Sequence, residues 1–216
     1  MPDLHFVIEG AEQVPFAATP QLAFKLRVST ATNDEPVQSV ALHCQLQFAS
    51  MRRRYNPAEQ EGLLDLFGEP AQWSRTLRTM LWTHADVNIP PFTGSRVVDL
   101  IVPCSFDFNV AATKYFAALE DGEVPLTFLF SGSVFYAAAD GVLQITQIPW
   151  EKEAKFRLPV RVWRAMMDLY YPNTAWLCLR QDIFDRLYQY KVRGGLPTWE
   201  DAVEQLLRRV AEDVPV

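Results

Sequence analysis

VALHCQLQF, residues 40–48, sets apolar Val40, Leu42, Cys44, Leu46 and Phe48 alternately with Ala41, His43, Gln45 and Gln47. Successive side chains of a β-strand point to opposite faces, so a period of two with one polar face specifies a half-buried antiparallel strand. The same alternation occurs upstream, where Leu22, Phe24, Leu26 and Val28 interleave with Gln21, Ala23, Lys25 and Arg27. Between the two runs, Thr32-Asn33-Asp34-Glu35-Pro36 supplies turn formers. Asn and Asp tolerate tight backbone geometry and Pro cannot donate to a ladder, so the segment reads as a loop.

Working outward, strand-like runs recur at about Leu77 to Asn88, Arg96 to Val102, Pro125 to Tyr136 and Val142 to Ile148. Pro90-Pro91-Phe92-Thr93-Gly94 and Asp140-Gly141 separate them, the latter being the strongest hairpin signal. His5 lies in a further strand-like segment. Two stretches depart from this period. Pro57 through Glu61 place a proline and two acids in a first helical turn ahead of Leu63, Leu64 and Phe67, predicting a short helix closed by Gly68. Asn109 to Leu119 reads as a strand carrying Phe106, Phe108 and Val110 into a helical turn carrying Ala112, Tyr115, Phe116 and Leu119.

After Pro159 the period becomes helical. Trp163, Met166, Met167 and Tyr170 form one stripe, stopped by Pro172-Asn173, and Ile183, Phe184, Leu187 and Tyr188 form a second, ending at Gly194-Gly195. A third helix starts at Thr198 as N-cap, with Asp201 in its first turn and Trp199, Ala202, Val203, Leu206, Leu207 and Val210 on one face. The predicted class is α+β: a mainly antiparallel, β-sandwich-like sheet with a short inserted helix and two to three C-terminal helices. A sandwich-like region over 1–158 and a helical region over 159–216 packed on it would form one domain.

The 216 residues are 49% hydrophobic and 21% charged, with net charge -6. That acidity disfavours nucleic acid and anionic membrane surfaces, which reward a basic face. No apolar run is long enough to span a bilayer, and MPDLHFVIEG lacks the basic and apolar regions of a secretory signal, so a cytoplasmic location is expected. Cys44, Cys104 and Cys178 are few, odd in number and widely spaced, which predicts reduced and mostly buried thiols rather than a disulfide framework.

Chemistry-bearing spacings are scarce. His5, His43 and His84 have no second ligand at metal-binding spacing. Ser131-Gly132-Ser133 lies inside a strand-like run, where glycine marks a bulge or a close backbone approach rather than a nucleophile turn. Cys104 has Asp107 near it but no basic neighbour to favour a thiolate. The acid pairs Glu151/Glu153, Asp182/Asp185 and Glu200/Asp201 sit at segment starts, where helix dipole or solvent accounts for them. No glycine-rich phosphate loop occurs. Catalytic, cofactor and metal residues are therefore not assigned, and no cofactor is expected.

Aromatics, by contrast, are plentiful: 14 Phe, 7 Tyr and 6 Trp. Arg52-Arg53-Arg54-Tyr55 concentrates guanidinium groups suited to a carboxylate-rich partner, and Trp163, Tyr170, Tyr171 and Trp176 gather aromatic surface near a helix end. These eight residues are the candidate protein-binding set.

Arg53-Arg54-Tyr55, Leu66-Phe67-Gly68, Trp73, Pro103-Cys104-Ser105-Phe106-Asp107, Lys114-Tyr115-Phe116, Leu129-Phe130-Ser131-Gly132, Trp150-Glu151, Met167 through Asn173 and Leu196-Pro197-Thr198-Trp199 form an ordered set. In this the chain resembles a bacterial family of unknown function. The resemblance implies a gene placed near those of uptake nickel-iron hydrogenases, hence a hydrogenase subunit or accessory protein as partner, and it carries no catalytic residues over. The order of strands followed by a helix with Tyr-Pro-Asn is also loosely similar to SecB-type export chaperones. The expected function is a non-catalytic protein-binding or accessory role. Two alternatives stay open: a metal-delivery protein or enzyme whose site joins His43 or His84 with Cys104 and Asp107, and a SecB-like holdase.

Overall fold

The computed structural model describes residues 2–31, 36–138 and 141–213. Thr32–Glu35 and the Asp140 of the Asp140-Gly141 turn lie outside the described residues. Eight strands run in chain order: β1 Leu4–Gln13, β2 Gln21–Thr30, β3 Val37–Phe48, β4 Met80–Ile89, β5 Ser95–Pro103, β6 Glu123–Ala137, β7 Leu143–Gln147 and β8 Glu153–Pro159. Between β3 and β4 come α1 Pro57–Gly62, α2 Leu64–Phe67 and α3 Trp73–Thr76; α4 Val110–Ala118 precedes β6; α5 Val160–Tyr170, α6 Gln181–Arg193 and α7 Trp199–Asp213 follow β8.

All strand pairings are antiparallel. One sheet has the order β1-β2-β5; the other runs β4-β3-β6, with β7 and β8 sharing the far edge of β6. The apolar residues of each alternating strand face inward, and the sheets meet through rings such as Phe6 on Phe130, with centroids 4.4 Å apart, and Phe24 against Phe128 at 5.1 Å. Packed aromatic pairs of this kind add about 0.5–1.5 kcal/mol each beyond the area they bury. At the seams β1 runs beside β8 and β4 beside β5, and an ion pair from Lys152 to Asp3 at 2.5 Å ties the first seam.

The helices of the first 173 residues cap this sandwich. Asn56 forms a capping box with Glu59, its side chain accepting from the Glu59 N–H at 2.8 Å, and Pro57 occupies the first helical position. Phe116 of α4 stacks on Trp163 of α5 at 4.8 Å and packs edge-on to Phe48 and Trp82. The strand anticipated across Phe106 and Phe108 does not form. β5 ends at Pro103, residues 105–108 turn, with the Phe108 N–H donating to the Ser105 carbonyl at 3.1 Å, and Asn109 caps α4 by accepting from the Ala112 N–H at 2.9 Å. A short polar side chain that satisfies a helix N-terminus wins over the local alternation of aromatics.

The chain divides into two compact units, Met1–Asn173 and Thr174–Val216. In the second, α6 and α7 meet around Trp199, which touches Phe184 and Tyr188, while Lys191 lies over its ring. Thr198 caps α7 as its sequence predicts: its hydroxyl accepts from the Asp201 N–H at 3.1 Å and donates to the Asp201 carboxylate at 2.6 Å. That hydroxyl, with the Thr198 N–H, holds the Asp201 carboxyl below its ordinary value of 3.8. A carboxylate with a lowered folded value contributes stability above the unfolded value, and the contribution fades as pH falls through the folded one. Removing the cap hydroxyl in Thr198→Ala is expected to cost α7 about 1 kcal/mol at neutral pH. Far-UV circular dichroism of the full chain should show the difference from wild type shrinking as the pH is taken below 3.8.

Candidate protein-binding surfaces

Arg53 is the middle of the arginine run, and the fold turns it inward. Its guanidinium pairs with Glu59 and donates to the carbonyls of Glu123 at 2.8 Å and Asp121 at 2.7 Å. Tyr55 beside it donates to the Ser50 carbonyl at 2.9 Å and meets the Tyr115 hydroxyl at 2.8 Å; burial pushes both phenols up. Arg52 and Arg54 are exposed. Trp163 is buried against Phe116, Tyr170 donates to the Ala17 carbonyl at 2.8 Å, and Tyr171 is half-buried. Trp176 is exposed at the start of the second unit. The predicted set thus separates into side chains that tie the first unit together and the exposed Arg52, Arg54 and Trp176.

The His, Cys and Asp residues considered together in sequence do not gather. His43 and His84 stack on the outer face of the five-stranded sheet with centroids 5.2 Å apart, and His43 Nδ1 lies 2.5 Å from an Asp86 carboxylate oxygen. Cys104 is buried, its Sγ donating to the Val102 carbonyl at 3.3 Å, and burial pushes its thiol up to about 12. Cys44 is buried and pushed up likewise, whereas Cys178 is exposed. Thiols raised in this way carry almost no thiolate at neutral pH and are poor nucleophiles and ligands. Among the described residues no three His, Cys, Asp or Glu side chains are grouped to hold a metal ion. Ser131 and Ser133 flank a glycine inside the regular part of the β3–β6 ladder, where Leu42 pairs with Gly132, so the motif marks a close backbone approach.

Two apolar surfaces remain. The first is the face of α7: Trp199, Val203 and Leu206 are over a third exposed, Leu207 63% and Val210 62%. On α6, Phe184, Tyr188 and Val192 are exposed too. A monomeric soluble protein rarely leaves contiguous apolar surface uncovered unless something binds it. The second is the β7 side of the five-stranded sheet. There Leu143 and Ile145, about 60% exposed, join half-buried Phe135 and Ala137. Gln38, Ser39, Phe135, Ala137, Gly141 and Leu143 line an open groove of about 350 Å³. The contrast with the three-stranded sheet is electrostatic. Its outer face is laced by ion pairs, Lys25 with Glu12 and Asp99 and Arg27 with Glu9, which mark a solvated surface.

The stripe on α7 was visible as a helical period; its exposure was not, because period reports which residues share a face and not what covers them. The β7 surface is signalled in sequence by Val142-Leu143-Gln144-Ile145-Thr146-Gln147-Ile148, a strand-like run that contains no charge, proline or glycine. No described helix is long and apolar enough to cross a membrane.

No curated protein matches the chain. Among solved structures, one described as ApaA from Bordetella pertussis is 12% identical, with a TM-score of 0.25, over 73% of this chain and 93% of that one. The profile of DUF6084, a family of unknown function, matches residues 1–215. Over essentially its whole length, then, the chain belongs to the DUF6084 family.

Proposed function

We propose that this is a non-catalytic accessory protein that binds another protein through the apolar face of α7. The observation that carries the reading is the uncovered stripe Val203, Leu206, Leu207 and Val210 on a well-capped helix. An amphipathic helix presenting side chains at three- and four-residue spacing suits a hydrophobic groove on a partner. Of the exposed members of the predicted set, Trp176 would be a further contact on the same unit as α7, and Arg52 and Arg54 on the first unit would steer an acidic partner at long range and make association salt-dependent. A hydrogenase subunit or accessory protein, implied by the family resemblance alone, is the first client to try. A metal-delivery role has less support, since no ligand group of three gathers among the described residues. A holdase role would need affinity for several unrelated unfolded chains.

The test is capture of purified hydrogenase components by the tagged full chain at low and moderate salt, with Leu207→Glu/Val210→Glu alongside. Both positions are more than 60% exposed, so the variant should fold. Specific retention by wild type, reduced about tenfold or more by the double substitution, supports the reading. Equal retention by both, or none by wild type, defeats it.

A further inference from the structure

Sheet edges are normally protected, because a row of unpaired N–H and C=O groups templates pairing with another chain; charged residues, prolines, bulges or a covering element prevent it. In this fold β1 and β8 shield one another, as do β4 and β5, and β8 also carries Glu153, Lys155 and Arg157. Among the described residues β7 shows none of these devices. It pairs with β6 alone in the sheet order, and its five residues Leu143-Gln144-Ile145-Thr146-Gln147 are uncharged.

The direction of its backbone groups follows from the ladder. The Ile148 N–H donates to the Gly132 carbonyl and the Val142 carbonyl accepts from the Ala138 N–H, both at 2.9 Å. In an antiparallel pair the bonding direction alternates, so even-numbered residues face β6 and the N–H and C=O of Leu143, Ile145 and Gln147 point away from it. The side chains of these same three residues share the outer face with Ala137, Phe135 and Ser133, their direct cross-strand partners.

We propose that β7 is a homodimer edge: two copies of the chain pair their β7 strands antiparallel about a two-fold axis through Ile145, joining two five-stranded sheets into one. A second copy fits this edge for three reasons. Pairing Leu143 with Gln147 and Ile145 with itself matches outward-pointing residues only with outward-pointing residues, and each such pair exchanges two backbone hydrogen bonds. No like charges meet when the strand faces itself, because it has none, and that same neutrality leaves nothing to steer a foreign acidic or basic segment. The axis also makes one apolar row from Phe135 and Ile145 of one copy to Ile145 and Phe135 of the other, so that the exposed Ile145 side chains pack against each other. A five-residue ladder is a small interface, so the dimer should dissociate at micromolar rather than nanomolar concentration. This edge is separate from the α7 surface, and either assignment can fail alone.

Because residue 145 faces its own copy, opposite charges placed there give a distinctive signature. Sedimentation velocity of the full chain should show a concentration-dependent monomer–dimer equilibrium. Ile145→Arg and Ile145→Asp should each weaken it by about tenfold or more, and a one-to-one mixture of the two should restore it. As a second measure, Ile145→Cys with Cys178→Ser should form a disulfide-linked dimer readily on air oxidation, since hydrogen-bonded cross-strand Cα atoms lie about 5.5 Å apart. A wild-type chain that stays monomeric at a few hundred micromolar overturns the proposal. So does a dimer indifferent to both charges, or variants that each dissociate but fail to recover on mixing.

Discussion

Gly132→Ala is expected to lower the unfolding free energy of the first unit by about 3–5 kcal/mol, as measured by denaturant titration of the full chain. Two independent penalties coincide at this position. Its φ of 131° lies where side chains are rarely accommodated, and a Cβ built there would stand 2.0 Å from the Ala41 carbonyl oxygen on β3. That atom is backbone in the middle of a sheet, so it cannot swing aside as the end of a flexible side chain would. The reason for the conformation is topological. At this residue β6 exchanges one partner for another along the same edge: the Phe130 N–H still donates to the Lys152 carbonyl ahead of β8, while the Gly132 carbonyl already accepts from Ile148 beyond β7. Glycine permits the local twist that lets two short strands share one long one. Since β7 is the edge assigned to self-association, the substitution should also disturb the dimer, whereas a surface change such as Ile145→Arg should disturb the dimer alone. A loss below about 1 kcal/mol would mean that β6 relaxes around the methyl group and that the exchange of partners does not need glycine.

The sandwich and its helices were legible because an apolar face leaves a period, two for β3 and close to four for α5 and α7. β8 escaped although Ala154, Phe156 and Leu158 alternate with Lys155 and Arg157; the run is short and follows Trp150-Glu151-Lys152-Glu153, whose polarity reads as loop. Phe106 and Phe108 misled for the opposite reason, since two aromatics at strand spacing outweighed the cap at Asn109. The binding surfaces were the least legible part. Trp163 and the exposed residues of α7 have the same apolar character in sequence, and which becomes core depends on whether another element, such as α4 beneath Trp163, arrives to cover it. Likewise Arg52, Arg53 and Arg54 are chemically identical, and nothing local announces that the middle one meets Glu59. Composition supplies the material for core and interface alike; tertiary placement divides it.

That division predicts a large effect at Glu59. Its side chain is 4% exposed and that of Arg53 9%, and the carboxylate also accepts from the backbone N–H groups of Asn56 at 3.2 Å and Glu120 at 3.1 Å. The pair therefore pins the start of α1 and the segment after α4 to the end of β3. Removing one member of a buried ion pair costs about 3–5 kcal/mol, because the remaining charge is left without a counter-ion in a poorly solvated site. Glu59→Gln preserves the shape and should destabilise by roughly that amount, and Arg53 Nε, which has no hydrogen-bond partner among the described residues, adds to the cost of the orphaned guanidinium. Arg53→Met/Glu59→Leu removes both charges and should recover a substantial part of the loss, since well-packed apolar substitutes for a buried pair are often neutral. Chemical denaturation of wild type, Arg53→Met, Glu59→Leu and the double variant forms a cycle whose coupling energy tests the assignment. The cycle also separates two roles for the arginine run: a structural Arg53 moves stability and leaves the salt dependence of partner binding to Arg52 and Arg54. If Arg53→Met leaves stability unchanged, Arg53 does not anchor the fold, and its guanidinium is available to a partner.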